Sequence, residues 1–136
     1  MRRTTTPWWG FSKPKQASED DQYLCNTVKD AAESSLKRKF KMFNAILASY
    51  QVVAGSNHII KVQVDESGEC IHIKLYQGIA KVPPEIIKAF RKENPCPNFE
   101  DETILKKITE ISRPYKKVEL YCIQTDKQLD SDMYVF

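Results

Sequence analysis

Gln51-Val52-Val53-Ala54-Gly55-Ser56-Asn57-His58-Ile59-Ile60-Lys61-Val62 decides how this chain folds. Gly55-Ser56-Asn57 is a turn signal, because glycine and asparagine accept backbone conformations that most residues avoid. Before it, Phe40, Met42, Ile46, Ala48, Tyr50 and Val52 alternate along the chain, interrupted at Asn44. After it, Ile60, Val62 and Val64 alternate again. Two runs of period two on either side of a turn predict an antiparallel hairpin.

Working outward, Asp65-Glu66-Ser67-Gly68 is a second turn, and Ile71, Ile73 and Leu75 predict a third strand. On the N-terminal side Ser18, with Asp21 three residues later, is a capping-box start. Glu19, Asp20 and Asp21 place negative charge where a helix dipole favours it, and Lys37, Arg38 and Lys39 place positive charge at the other end. Between them Leu24, Val28, Ala31, Ala32 and Leu36 form one apolar stripe at helical spacing. A helix followed by an antiparallel meander is an α+β layout. The sheet must bury one face, and the helix stripe is the cover.

Residues 78 to 116 break this regularity. Pro84 to Lys92 reads as a short helix with proline at its first position, and Asn94-Pro95-Cys96-Pro97-Asn98 as a rigid break. Glu100 to Ser112 reads as an amphipathic helix through Ile104, Leu105, Ile108 and Ile111, stopped by Arg113-Pro114. Val118 to Gln124 alternates and predicts the last core strand. The first fifteen residues read as coil, a flexible arm carrying Trp8-Trp9-Gly10-Phe11. The organisation is therefore one domain over 1–136, with an arm at 1–15 and an insertion at about 84–116.

The 136 residues suffice for one domain with a real core. A net charge of +3 does not by itself imply a nucleic-acid partner. The basic run Lys37 to Lys41 is explained by the helix C-terminus. No apolar run reaches the roughly 18 residues a membrane helix needs, and no apolar stretch follows Arg2 and Arg3 as a secretory signal requires. The sequence thus predicts a cytoplasmic protein with no membrane and no nucleic-acid partner. Cys25, Cys70, Cys96 and Cys122 are expected as free thiols, since their spacings match no zinc pattern. His58 and His72 make no metal site, and no cofactor is expected. Cys25 and His72 invite a cysteine-hydrolase reading, but no third group or glycine-rich oxyanion turn accompanies them, so no catalytic residue is assigned.

The string quoted at the start resembles the QVVAG hairpin and following strand of stefins, the type 1 cystatins. His72-Ile73-Lys74-Leu75-Tyr76 resembles the stefin third strand, and Ile123-Gln124-Thr125-Asp126-Lys127 with Met133-Tyr134-Val135-Phe136 resembles stefin C-termini. The resemblance implies a twisted antiparallel sheet of four to five strands wrapped around one helix. It also implies a reversible inhibitor of papain-like cysteine proteases such as cathepsins, with no enzymatic activity. In that family the cleft is blocked by a wedge of N-terminal arm, QVVAG hairpin and a second hairpin loop. On this chain the wedge falls on Trp8, Trp9 and Gly10, on Gln51, Val52, Val53, Ala54 and Gly55, and on Val82 and Pro83.

These residue types suit such a task. Val52 and Val53 offer apolar contact from side chains stiff at χ1, so docking costs little rotamer entropy. Ala54 and Gly55 let the backbone approach closely. Gln51 is expected to hold the loop by side-chain hydrogen bonds.

Two departures from the family pattern stand out. The usual arm glycine falls on Trp9 and Gly10 lies one residue later, so either the arm slips by one or it contributes little. Trp8 and Trp9 read equally as interface anchors or as side chains folded onto the body. After Val82-Pro83 the chain carries roughly thirty extra residues, a length that surface loops tolerate. This insertion obstructs docking, adds contacts outside the cleft, or folds aside. A cystatin-fold binding module with lost or altered inhibition is the alternative function. The chain is expected to be a monomer, with exchange of the long hairpin into a domain-swapped dimer as the associated form.

Overall fold

A computed structural model describes residues 10–136. The chain runs β1 (Lys15–Gln16), α1 (Glu19–Leu36), β2 (Asn44–Val53), β3 (Gly55–Gln63), β4 (Glu69–Gln77), α2 (Pro84–Glu93), α3 (Glu102–Ser112) and β5 (Val118–Gln128). It divides into two compact units: the chain up to Gln77 with Val118–Phe136, and Gly78–Lys117.

In the first unit the five strands form one antiparallel sheet in sequence order. This is the α+β, cystatin-like sheet and helix that the sequence predicts. The helix begins as its residues dictate. The Ser18 side chain accepts from the Asp21 N–H, and the Asp21 carboxylate accepts from the Ser18 N–H at 2.8 Å, which completes the capping box. It ends at Lys37 in the left-handed region, φ 54°.

Leu24, Cys25, Val28 and Ala32 are buried against Ala48, Ile60, Val62, Val64, Ile71, Ile73 and Leu75. Each such fully buried aliphatic side chain contributes about 1.5–3 kcal/mol. Ala31, assigned to the stripe from spacing, is instead exposed, one position off the face. Buried Glu33 works differently: its carboxylate accepts from the Phe40 N–H at 2.8 Å and fixes the chain as it leaves the helix. That bond lowers its pKa.

Three details differ from the sequence reading. Phe40 and Met42 precede β2 rather than belonging to it; Phe40 is buried instead with Phe43, ring centroids 5.5 Å apart. The break at Asn44 has its cause in a bulge between Ala45 and Leu47, which lets Ala45 and Ala48 both face the helix side. Lys15 and Gln16, read as the end of a coil and the residue after it, pair with Ala48 and Leu47. Period-two alternation cannot reveal a strand of two residues.

β5 carries two bulges against β4, one near Tyr121 and one near Asp126, which has φ 60°. The first keeps both Leu120 and Ile123 packed on the core although their spacing is odd. The other face of the sheet holds Ile59, Lys61, Cys70 and His72, all buried. Lys61 Nζ donates to the Leu129 carbonyl at 2.7 Å and to the Ser131 carbonyl, so the C-terminal segment is stapled there.

The second unit contains α2, α3 and a single 3₁₀ turn at Arg113–Tyr115, which continues past the expected stop at Arg113-Pro114. The Pro83 carbonyl accepts from Ile86 and Ile87 N–H at 3.1 and 3.3 Å, and Asp101 caps α3 through Thr103 N–H at 2.8 Å. Among the described residues no helix is long and apolar enough to cross a membrane.

Candidate functional site

The β2–β3 hairpin closes on a single apex residue, Ala54, with Val53 already paired to Gly55. The expected turn over Gly55-Ser56-Asn57 is thus one step tighter. Ser56 and Asn57 are strand residues opposite Val52 and Gln51. Gly55 makes this possible. Its φ is +97°, and a Cβ there would lie 2.7 Å from Tyr76 Oη and press into the Gln77 carbonyl oxygen. Only glycine combines that conformation with that approach.

The tip is held from behind and bare in front. The Tyr76 hydroxyl donates to the Ala54 carbonyl, and the Tyr76 ring stacks on Tyr121 with 4° between planes and centroids 6.1 Å apart. Gln51 Oε1 accepts from Asn57 Nδ2 at 3.0 Å, a brace across the hairpin. In front, Val52 is 73% exposed and Val53 44% exposed. Two β-branched side chains at the outermost point of a hairpin form an apolar ridge on a rigid base. Exposed valines contribute nothing to the core, so their placement suits contact with a partner.

The segment 10–16 runs beside this hairpin. Phe11 bridges to Gln51, Ser12 N–H donates to the Tyr50 carbonyl at 2.8 Å, and the Ser49 hydroxyl donates to the Ser12 carbonyl. Gly10 has φ +72°, and a Cβ there would stand 3.0 Å from Gln51 Nε2 and 3.3 Å from its Cγ. The structure therefore brings Gly10 together with Gln51 and the tip. Trp8 and Trp9 lie outside the described residues. Val82 and Pro83 belong to the second unit, where Val82 lines a small apolar cleft and Pro83 starts α2. Tyr76, Asn57 and Gln77 are the supports that sequence reasoning did not assign to the site. The signal was the cross-strand register, which sets Tyr76 opposite Asn57 and Gln77 opposite Ser56.

Among the described residues the site assembles no nucleophile with a base beside it. Cys25 faces the helix side of the sheet with Ile71 and Ile73, whereas His72, between those two, faces the opposite side. Burial, with Asp21 nearby, raises the Cys25 thiol pKa, and burial with Lys61 and Lys127 lowers the His72 pKa to about 4. A neutral thiol and a neutral imidazole on opposite faces of a sheet form no nucleophile–base pair. Among the described residues no three His, Cys, Asp or Glu gather as a metal site.

The cystatin-domain family matches residues 10–85 of the chain. Stefin-C of Bos taurus is 39% identical over 70 residues, 52% of this chain and 68% of that protein. Cystatin-A of Felis catus is 41% identical over 70 residues, 52% of this chain and 70% of the relative. Leukocyte cysteine proteinase inhibitor 1 of Sus scrofa is 34% identical over 70 residues, 52% of this chain and 67% of the relative. The matched span holds the helix, the first four strands and the braced hairpin tip, and on these grounds the chain belongs to the cystatin family, among the stefin-type members.

Proposed function

We propose that this chain is a reversible inhibitor of papain-like cysteine proteases that fills the active-site cleft with the Gln51–Gly55 tip and the adjoining Gly10 segment. The observation that carries the reading is the exposed Val52–Val53 ridge on a base fixed by Gly55, Tyr76 and Asn57. Membership of a family of protease inhibitors, not enzymes, supports it.

The geometry suits blocking without cleavage. A protease cuts a carbonyl that lies along its groove and points into its oxyanion donors. The Ala54 carbonyl is turned back onto the Tyr76 hydroxyl, and the chain on either side leaves at once as paired strands. The tip thus offers apolar contact with little conformational entropy left to lose, which favours tight binding by preorganisation. Gly10, packed on Gln51, takes the pivot position that the family assigns to its arm glycine, and Trp8 and Trp9 precede it as candidate anchors.

Titration of active-site-counted papain and of one cathepsin with the purified chain tests this. Stoichiometric, reversible loss of activity is expected. A folded chain that leaves both enzymes fully active at micromolar concentration refutes it and favours a cystatin-fold binding module with another partner.

A further inference from the structure

Segment 78–117 is described throughout, and no residue in it is buried. Its helices have 10 and 11 residues, too few to persist in water on propensity alone. Yet both are amphipathic. They frame an open cleft of about 120 Å³ lined by Val82, Ile86, Ile87, Phe90, Ile108 and Ile111. Ile79 and Phe99 are 64% and 62% exposed. A segment with this much uncovered apolar surface has not finished burying it.

Charge sets the segment apart too. It holds nine of the 21 Lys and Arg residues and six of the 18 Asp and Glu residues, so the net +3 of the chain resides here and the remainder is neutral. Its attachment is equally specific. Gln77 and Val118, the residues on either side, are paired with one another, and the Gln77 carbonyl is the group that abuts Gly55 at the hairpin tip. The segment therefore leaves and rejoins the sheet at the strand ends that support the tip.

We propose that segment 78–117 is a second contact surface of the inhibitor, which covers its apolar cleft on the protease outside the active-site groove and favours enzymes whose surface there is acidic. This rests on the reading of the tip as a protease-blocking element. The enzyme is the occupant because a seated tip holds both ends of the segment against it, which makes the second contact intramolecular at high effective concentration. The localised positive charge adds electrostatic steering, felt in the association rate and weakened by salt.

The test compares the full chain with one in which residues 85–116 are replaced by a short Gly-Ser link. No buried residue is removed. Each is measured by stopped flow against two papain-like proteases, one of acidic and one of basic isoelectric point, from 20 to 500 mM NaCl. The full chain should associate with the acidic enzyme about tenfold faster at low salt than at high salt, and the shortened chain should lose that slope. The shortened chain should also dissociate about tenfold faster from the acidic enzyme. Two full-length variants keep the length: Lys88→Glu/Lys92→Glu/Lys106→Glu should flatten the salt slope, and Ile87→Ser should speed dissociation. Equal rates for full and shortened chains, or tighter binding by the shortened one, overturn this inference and leave the blocking tip standing. Inhibition by neither refutes the reading of the tip and this inference with it.

Discussion

Replacing Gly55 by alanine isolates the tip from the rest of the molecule. The added Cβ would stand 2.7 Å from Tyr76 Oη and 3.0 Å from its Cζ, in a backbone with φ +97°. The left-handed conformation costs an L-residue about 1–2 kcal/mol. Pushing Tyr76 aside breaks its bond to the Ala54 carbonyl, about 1 kcal/mol more. The sum is about 2–3 kcal/mol. Ala54 and Val52 are exposed and Gly55 touches none of the helix-side core, so the hairpin relieves the strain by moving its apex. Global stability should therefore fall by less than the sum, while the geometry presented to a protease absorbs the rest. At 1.4 kcal/mol per tenfold, the full sum would raise the inhibition constant for papain roughly 30- to 150-fold, and the rise should fall below that by whatever share appears as lost global stability. Tyr76→Phe, which removes only the hydroxyl, should cost about fivefold. Urea denaturation of each variant beside its papain titration separates the two effects. An unchanged inhibition constant for a folded Gly55→Ala chain would refute the argument that this tip works by rigid support.

Further predictions concern the sheet's other face and the thiols. His72 is neutral when folded, with a pKa lowered to about 4 from 6.5, and neither ring nitrogen has a hydrogen-bond partner among the described residues. The unfolded chain takes up a proton that the folded chain refuses, so this contribution is complete above pH 6.5 and is lost as pH falls toward 4. Urea midpoints measured across that window should drop, and His72→Leu should flatten the decline. Lys61→Met removes the ammonium that donates to both the Leu129 and the Ser131 carbonyl. Hydrogen exchange over residues 128–136 should then quicken at least about tenfold while the core strands stay protected. With an aromatic disulfide reagent at pH 8, exposed Cys96 and Cys122 should react in the native protein, and buried Cys25 and Cys70 only on unfolding.

What the sequence made legible follows from the range over which its signals act. The capping box at Ser18 and Asp21, the alternation of Ile60, Val62 and Val64 and of Ile71, Ile73 and Leu75 on either side of the turn at 65–68, and the proline start of α2 are local or periodic, and their residue types announce them. The bulge at Ile46 and the two-residue β1 escaped, because each is fixed by a partner strand rather than by its own spacing. At the site, the valines and Gly55 were readable as a tight apolar tip. Their supports were not, because Tyr76 reaches Ala54 across 22 positions and the Gln77 carbonyl meets Gly55 from the next strand. Lys61 and His72 look like ordinary outward positions of alternating strands, yet both are buried, and Lys61 is held there by the C-terminal segment through the Leu129 and Ser131 carbonyls.

The paired bulges of β5 bear on something other than inhibition. β5 is the last strand of an open sheet, eleven residues long, and a straight strand there would be a template for another chain. Each bulge breaks the regular row of N–H and C=O groups and steepens the local twist, and the left-handed Asp126 does so near the end of the strand. An incoming strand would find register for no more than about three residues at a time, over 118–120, 122–124 or 127–128. The same irregularity that tucks Leu120 and Ile123 inward therefore caps growth of the sheet, which gives a protein with an unclosed β-edge a built-in resistance to fibre formation.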